Sequence, residues 1–171
     1  KNIAKYVMAP ANAIRRHPVV EQRLKDIETW SETSGINRIE MGGTEIGIIT
    51  SSTCYQYAKE VFGEEASILK LGMVNPLPSK MIKDFASKVK KLVVIEELDP
   101  IIENHCKSLG LDVHGKDMFP ICGEFSQNLI AKAFGKEVPS CTKLEVNIPV
   151  RPPIMCAGCP HRATFYVLKK L

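Results

Sequence analysis

The chain has 171 residues, enough for one ordinary domain with an appendage. Hydrophobic residues make up 44% and charged residues 25%, so a sizeable core can form, and the net charge of +4 comes from scattered basic residues. No basic stripe alternates with aromatics, no apolar run approaches membrane length and no secretory signal is present, so we expect a cytoplasmic protein that binds neither nucleic acid nor membrane.

The first 37 residues predict a linker and a helix. Pro10-Ala-Asn12 is predicted to open a helix, and a stronger helical pattern follows it. Apolar residues recur at helical spacing from about Pro18 to Thr33, and Ser34-Gly35 is a usual stop signal. We interpret this segment as a linking helix that packs on a neighbouring surface, with Trp30 as a core or interface anchor. The chain starts at Lys1 rather than Met and stops inside an apparent helix over residues 163–171, so we expect a segment of a longer protein.

Residues 38–136 predict an α/β domain, because apolar β-branched runs alternate with amphipathic segments. Short loops between them imply right-handed crossovers and a mainly parallel sheet with helices on both faces. We expect four or five strands. The predicted strands are 38–41, 45–50, 66–72, 92–95 and 111–114, and the predicted helices are 54–62, 79–89, 100–109 and 123–134.

The run Leu92–Ile95 is the predicted central strand, since a short unbroken apolar run suits a strand that is covered on both faces. Asp99 is predicted to cap the next helix, with Pro100 at its first position. Glu96 and Glu97 then lie at the carboxyl end of the strand, where open α/β sheets bind ligands. Solvated turn carboxylates are the alternative.

The predicted crevice is lined by residues 50–53, 75–78 and 96–99, which follow the carboxyl ends of the strands. The polar run Thr50-Ser-Ser-Thr53 enters a helix, whose free N–H groups can hold a phosphate or another anion. An ordinary helix cap is the alternative. For the chain as a whole, a free-standing α/β module that binds a phosphate-bearing ligand at this helix entrance is the second hypothesis. Ser79 is predicted to cap the following helix, and His105 is interpreted as a structural histidine.

After Gly135 the pattern changes to a proline-rich tract, which predicts a stiff connector and a domain boundary near residues 136–150. Of the six cysteines, 54, 106, 122 and 141 are isolated and predict small buried hydrophobes in a reduced compartment.

Cys156 and Cys159 are spaced to give two thiolates to one metal or cluster, and Gly158 permits the tight turn this needs. Zinc or a four-iron cluster would need further ligands, and His161 lies too near Cys159 in sequence for a shared tetrahedral site. A structural turn and a redox dithiol remain open.

Four segments carry a family resemblance. They are Gly47-Ile-Ile-Thr-Ser-Ser-Thr-Cys-Tyr55, Leu71-Gly-Met-Val-Asn-Pro-Leu-Pro78, Val93-Val-Ile-Glu-Glu-Leu-Asp-Pro100 and Arg151-Pro-Pro-Ile-Met-Cys-Ala-Gly-Cys-Pro-His-Arg162. In this order they resemble the α subunit of indolepyruvate:ferredoxin oxidoreductase. The resemblance implies a transketolase C-terminal-like α/β domain over residues 38–136. Residues 137–171 would then be a proline-rich linker and the start of a thiamine-diphosphate-binding domain.

The resemblance also implies the chemistry of the parent protein. An aryl 2-oxo acid is decarboxylated on thiamine diphosphate with magnesium, electrons leave through [4Fe–4S] clusters to ferredoxin, and the acyl group passes to coenzyme A. A β subunit is the expected partner. This segment is expected to be mainly a structural domain that carries no catalytic residue and binds no cofactor alone.

For the cysteine turn, the resemblance implies two alternatives. Cys156 and Cys159 match cluster ligands of related β subunits, although Pro160 stands where those subunits have Gly. Otherwise the turn, with Gly158, lies beside the cofactor, and His161 or Arg162 approaches its diphosphate or the substrate.

Overall fold

The structure is a computed structural model that describes residues 2–140, 142, 145–147, 149–150 and 152–171. It divides into two compact units, Lys1–Pro139 and Ser140–Leu171. The isolated Cys141, predicted to be buried, and Arg151, the first residue of the last resemblance segment, lie outside the described residues. The predicted domain limits at residues 37 and 136 stay predictions.

The first unit is built on a four-stranded sheet in the order β1-β3-β2-β4. β1 pairs antiparallel with β3 at the edge, and β2 pairs parallel with both β3 and β4. The predicted mainly parallel α/β class is therefore confirmed. The elements of this unit are α1 Ile3–Tyr6, α2 Pro10–Ser31, β1 Arg38–Glu40, β2 Ile46–Ser51, α3 Ser52–Phe62, β3 Ser67–Leu71, α4 Ser79–Ala86, β4 Lys91–Ile95, α5 Ile101–Ser108 and α6 Gln127–Ala133.

Both faces of the sheet are buried, because successive side chains of a strand point to opposite faces. In β2, Ile48 packs with α3 and α6 on one face, whereas Ile49 packs with α4 and α5 on the other. β4 alternates in the same way between Val93 and Val94. This explains why its sequence is an unbroken apolar run.

The N-terminal helix is longer than predicted. α2 begins at Pro10, as predicted for the helix opening at residues 10–12, and continues through Pro18 to Ser31, so the prediction of a distinct helix that starts at about Pro18 is wrong. Pro10 occupies a first-turn position, where proline is favoured and its missing N–H is of no consequence. Trp30 is 54% exposed, so it is not a core anchor of the described residues. Among those residues, no helix combines the length and the apolar character that a membrane crossing requires.

Other elements also differ from the predictions. Residues 111–114 make a single parallel bridge, Val93 to His114, instead of a fifth strand. α6 begins at Gln127 rather than Gly123, because the Ser126 side chain accepts the N–H of Leu129 and caps the helix there. α5 begins at Ile101, with Pro100 at the capping position.

The second unit contains one described helix, α7, from Pro160 to Lys170. It begins three residues before the predicted position, since Pro160 sits at the first helical position, where its fixed φ is favourable.

Candidate functional site

The segment Cys156–Cys159 forms a tight turn. The N–H of Cys159 donates to the carbonyl of Cys156 over 3.1 Å. Gly158, the third residue, has a φ of +79°, the value that a type II turn demands at this position and that glycine adopts without strain. The turn thus brings two thiol-bearing residues to its two ends.

The helix α7 starts directly at this turn. Cys159 is its capping residue, and the N–H of Arg162 donates to the Cys159 carbonyl over 3.1 Å. The Cys159 sulfur lies 3.4 Å from Nδ1 of His161. Cys159 is half-buried, whereas Cys156, Gly158, His161 and Arg162 are exposed. All five predicted site residues therefore lie within one turn and the first turn of the helix, although their roles stay predictions.

The remaining described cysteines lie in the first unit. Burial raises the pKa of Cys54 to about 11 and that of Cys106 to about 12, so both remain thiols at neutral pH. These two match the prediction of buried hydrophobes, but Cys122 is exposed and the prediction is wrong for it. Within the described residues, no three His, Cys, Asp or Glu side chains are gathered closely enough to hold a metal ion at once.

A cavity of about 410 Å³ lies at the carboxyl ends of β2 and β4. This is the predicted crevice, lined by Ser51, Ser52, Thr53, Cys54, Val74, Glu96, Glu97, Leu98, Asp99, Ile101 and Ile102. Two predicted contributions are wrong. Thr50 is fully buried and donates its hydroxyl to the Ile95 carbonyl over 2.8 Å. The predicted loop 75–78 instead borders, through Asn75, Pro76 and Leu77, a separate cavity of about 340 Å³.

The two strand-end carboxylates have structural partners. Glu96 is 8% exposed, and its oxygens accept the N–H groups of Ile102 and Glu103, each over 2.9 Å. It therefore caps α5, and the prediction that Asp99 does so is wrong. Burial raises the pKa of Glu96, and the two N–H donors oppose that shift. Glu97 accepts the N–H of Phe125 over 2.7 Å.

His105 is part of a hydrogen-bonded link between three helices. Its Nε2 lies 3.2 Å from the hydroxyl of Ser79, which donates to the carboxylate of Glu28 over 2.7 Å. The chain of three side chains ties α2 to α4 and α5. These contacts confirm the interpretation of His105 as a hydrogen-bonded structural histidine. The prediction that Ser79 caps α4 is wrong, because its side chain makes no hydrogen bond to the helix backbone. That role falls to Glu32, whose carboxylate accepts the N–H groups of Lys80 and Met81 over 2.9 and 2.8 Å.

Sequence reasoning missed Glu28 and Glu32. Both lie on or just after a helix whose periodicity marks them as solvent-facing charges. Their partners follow about fifty residues later, so no local signal could have identified them.

Several curated proteins are similar to this chain over nearly its whole length. The indolepyruvate oxidoreductase subunit IorA of Archaeoglobus fulgidus is 34% identical over 183 residues, covering 96% of this chain. The IorA subunits of Methanothermobacter thermautotrophicus and Pyrococcus horikoshii are 34% and 31% identical over 99% of the chain. The chain spans about 30% of the length of these relatives. No protein-family model matches the chain.

A solved structure shares the fold. A 2-oxoglutarate:ferredoxin oxidoreductase from Magnetococcus marinus superposes with a TM-score of 0.56 over 74% of this chain and 23% of its own, at 18% identity. At this identity, the likeness supports the α/β fold alone.

Proposed function

This chain belongs to the family of the indolepyruvate oxidoreductase IorA subunits, and from that premise we propose that it is part of an enzyme that oxidatively decarboxylates aryl 2-oxo acids of the indolepyruvate type. The observation that carries the proposal is the identity of 31–34% to three IorA subunits over 96–99% of the chain. The chain matches only about 30% of their length, so the activity is proposed for the whole enzyme.

The whole enzyme is proposed to use thiamine diphosphate with magnesium, [4Fe–4S] clusters and coenzyme A, and to pass electrons to ferredoxin. Thiamine diphosphate supplies the stabilised carbanion on which such decarboxylations depend, and the protein supplies position and electrostatics. A β subunit is the proposed partner, and the cytoplasm is the proposed location.

Within this enzyme, the first unit is proposed to act as a structural and interface domain. Its strand-end carboxylates support this role, because Glu96 caps α5 and Glu97 holds the backbone of Phe125. The buried thiols of Cys54 and Cys106 stay protonated, which makes them poor nucleophiles and poor metal ligands.

The cysteine turn is proposed as the part of this chain that approaches a cofactor. Cys156 and Cys159 would donate two thiolates to a metal centre, and Gly158, His161 and Arg162 would face the cofactor beside them. Two thiols at the ends of one turn fit a shared metal. A [4Fe–4S] cluster takes four thiolates, so the clusters of the whole enzyme need cysteines beyond this turn.

The alternative of a free-standing module that binds a phosphate at residues 50–53 receives no such support. Thr50 uses its hydroxyl within the sheet. What remains is a helix start alone, which by itself does not make a phosphate site.

The test is an anaerobic assay of the full-length protein that contains this sequence, produced with its partner subunit. Reduction of ferredoxin is followed with indolepyruvate as substrate, with and without thiamine diphosphate and coenzyme A. We expect activity that requires both, and a kcat/KM for indolepyruvate at least about tenfold above that for 2-oxoglutarate.

The comparison between the two substrates serves as the control. A preference for 2-oxoglutarate would overturn the aryl assignment and leave the enzyme class intact. Failure of cofactor-loaded, folded protein to oxidise any 2-oxo acid would overturn the proposed function itself.

A further inference from the structure

A crevice opens where β2 and β4 end. The two strands lie side by side and parallel. α3 follows β2 and packs on one face of the sheet, whereas α5 follows β4 and packs on the other face. Because the two segments leave in opposite directions, they part at the carboxyl edge of the sheet, where open α/β sheets bind ligands. The cavity at this edge has a volume of about 410 Å³, which lies within the roughly 300–1,000 Å³ typical of small-molecule sites.

Two residues that line this cavity have an unusual backbone conformation. Ser52 has a φ of +51° and Leu98 has a φ of +59°, and among the described residues no other residue except glycine has a positive φ. A bulky side chain such as that of Leu98 is strained in this region, and strain of this kind concentrates at functional sites such as ligand clamps. The strained backbone holds Leu98 beside the cavity, where its side chain is 64% exposed.

The walls of the cavity are mainly aliphatic. Val74, Leu98 and Ile101 line it, and each of the three is between 43% and 64% exposed. They come from three separate places in the chain, which are the loop after β3, the loop after β4 and the first residue of α5. Large apolar side chains that are exposed together around one cavity mark a binding surface. The occupant should therefore have an apolar body.

The charged side chains that line the cavity are all acidic. They are Glu96, Glu97 and Asp99, and among the described residues no Lys, Arg or His lines it. Glu96 is engaged by α5 through both oxygens, but Glu97 uses only Oε1, on the N–H of Phe125, and Asp99 is exposed. Lys116 donates to the Glu96 carbonyl from outside the lining. A cleft lined by one sign of charge concentrates ligands of the opposite sign, so the occupant should carry a positive charge.

We propose that this cavity binds a small hydrophobic amine, meaning a protonated primary amine on an apolar body. The apolar body contacts Val74, Leu98 and Ile101, and the ammonium group donates to the carboxylates of Glu97 and Asp99. The proposal goes beyond the proposed function, because it concerns the first unit alone and requires no turnover. It is also opposite in the sign of charge to a phosphate site at the same crevice.

The experiment is isothermal titration calorimetry of the complete 171-residue chain at low ionic strength, with three probes of similar shape. Phenethylamine carries the ammonium group, phenethyl alcohol is its neutral analogue and hydrocinnamate carries a carboxylate. We expect one phenethylamine per chain. The other two should bind at least about tenfold more weakly, because the alcohol lacks the charge-assisted hydrogen bond and the carboxylate is repelled. Added salt should weaken phenethylamine binding, since the carboxylates are partly exposed.

Four substitutions assign the contacts. Asp99→Asn and Glu97→Gln should each reduce the preference for phenethylamine over phenethyl alcohol. Ile101→Ala should weaken the binding of both probes by at least about fourfold, the equivalent of one buried CH₂ group. Leu98→Gly should weaken both in the same way without a loss of stability in urea, because glycine adopts a positive φ without strain. Weaker binding by a variant of unchanged stability cannot be ascribed to unfolding.

Matched controls lie outside the cavity. Asp112→Asn removes an exposed carboxylate that lines a different cavity, and Ile121→Ala removes an exposed apolar side chain. Both variants should bind phenethylamine like the unchanged chain.

Three results would overturn the proposal. Absence of phenethylamine binding up to its limit of solubility would overturn the site, and so would binding that is unchanged in both Ile101→Ala and Leu98→Gly. Equal binding of phenethylamine and hydrocinnamate would overturn the amine as the ligand class. None of these results depends on oxidation of a 2-oxo acid, so each is distinguishable from failure of the proposed function.

Discussion

The phenol of Tyr55 on α3 donates a 2.7 Å hydrogen bond to the carboxylate of Glu40 on the edge strand β1. Tyr55 is buried, and the same carboxylate contacts Arg38 at 2.9 Å and Lys59 at 3.2 Å. The guanidinium of Arg38 also donates to the Tyr55 hydroxyl over 3.1 Å. This cluster fixes the antiparallel edge of the sheet to the helix that covers it.

Replacing Tyr55 with Phe should lower the free energy of unfolding by about 1–2 kcal/mol, as expected for a hydrogen bond to a partly exposed charged group. Urea denaturation measures the difference. Tyr57→Phe, on the same helix, is the control and should change stability by less than about 0.5 kcal/mol, as do most substitutions away from such features. Equal losses in the two variants would contradict the role of the Tyr55–Glu40 bond.

Stability should also depend on pH through Glu40. The Tyr55 hydroxyl, with Lys59 and Arg38, holds the pKa of Glu40 below its ordinary value of 4.5. A carboxyl with a depressed folded pKa contributes stability above its unfolded pKa, and this contribution is lost as pH falls from 4.5 through the folded value. Denaturation at a series of pH values measures the free energy of unfolding of the unchanged protein and of Tyr55→Phe. The difference between these two free energies should become smaller below pH 4.5. If this difference in the free energy of unfolding grew on acidification, the stabilising contact between Tyr55 and the ionised Glu40 would be refuted.

Two substitutions test which carboxylate caps the start of α5. Glu96→Ala should cost about 0.5–2 kcal/mol in the free energy of unfolding, because two helix N–H groups lose their acceptor. Asp99→Ala should cost less than about 0.5 kcal/mol, since its side chain does not cap the helix. Thermal or urea denaturation measures the loss of unfolding free energy in each variant. A larger loss in Asp99→Ala than in Glu96→Ala would show that Asp99 caps α5 after all.

Glu32 should hold the C-terminal end of α2 against α4. Its carboxylate accepts the N–H groups of Lys80 and Met81, so Glu32→Ala should speed hydrogen exchange at these two amides and cost about 1 kcal/mol. Glu21→Ala is the matched control, because Glu21 is an exposed α2 carboxylate that pairs with His17 on its own helix. Unchanged exchange at Lys80 and Met81 in Glu32→Ala would show that another group satisfies them.

Much of the architecture was readable from the sequence because its causes are local. The apolar run Leu92–Ile95 identified a strand buried on both faces, and the helical periodicity of α3, α4 and α5 placed helices between strands. The mainly parallel arrangement followed from that alternation, since crossovers of this kind are right-handed and short. The cysteine turn was also predictable, because its geometry is set by four consecutive residues and by Gly158.

What the tertiary structure decided was which polar groups meet. Glu96 rather than Asp99 caps α5, because the strand end aims the more distant carboxylate at the helix N–H groups. Tyr55 meets Glu40 and Ser79 meets Glu28 across 15 and 51 residues of chain. Hydrophobic periodicity fixes the face of a helix or strand that is buried, but a polar side chain finds its partner through the packing of whole elements. The sequence by itself therefore determined the main strands, their parallel arrangement and the cysteine turn. The hydrogen bonds that join distant elements follow from the three-dimensional path of the backbone.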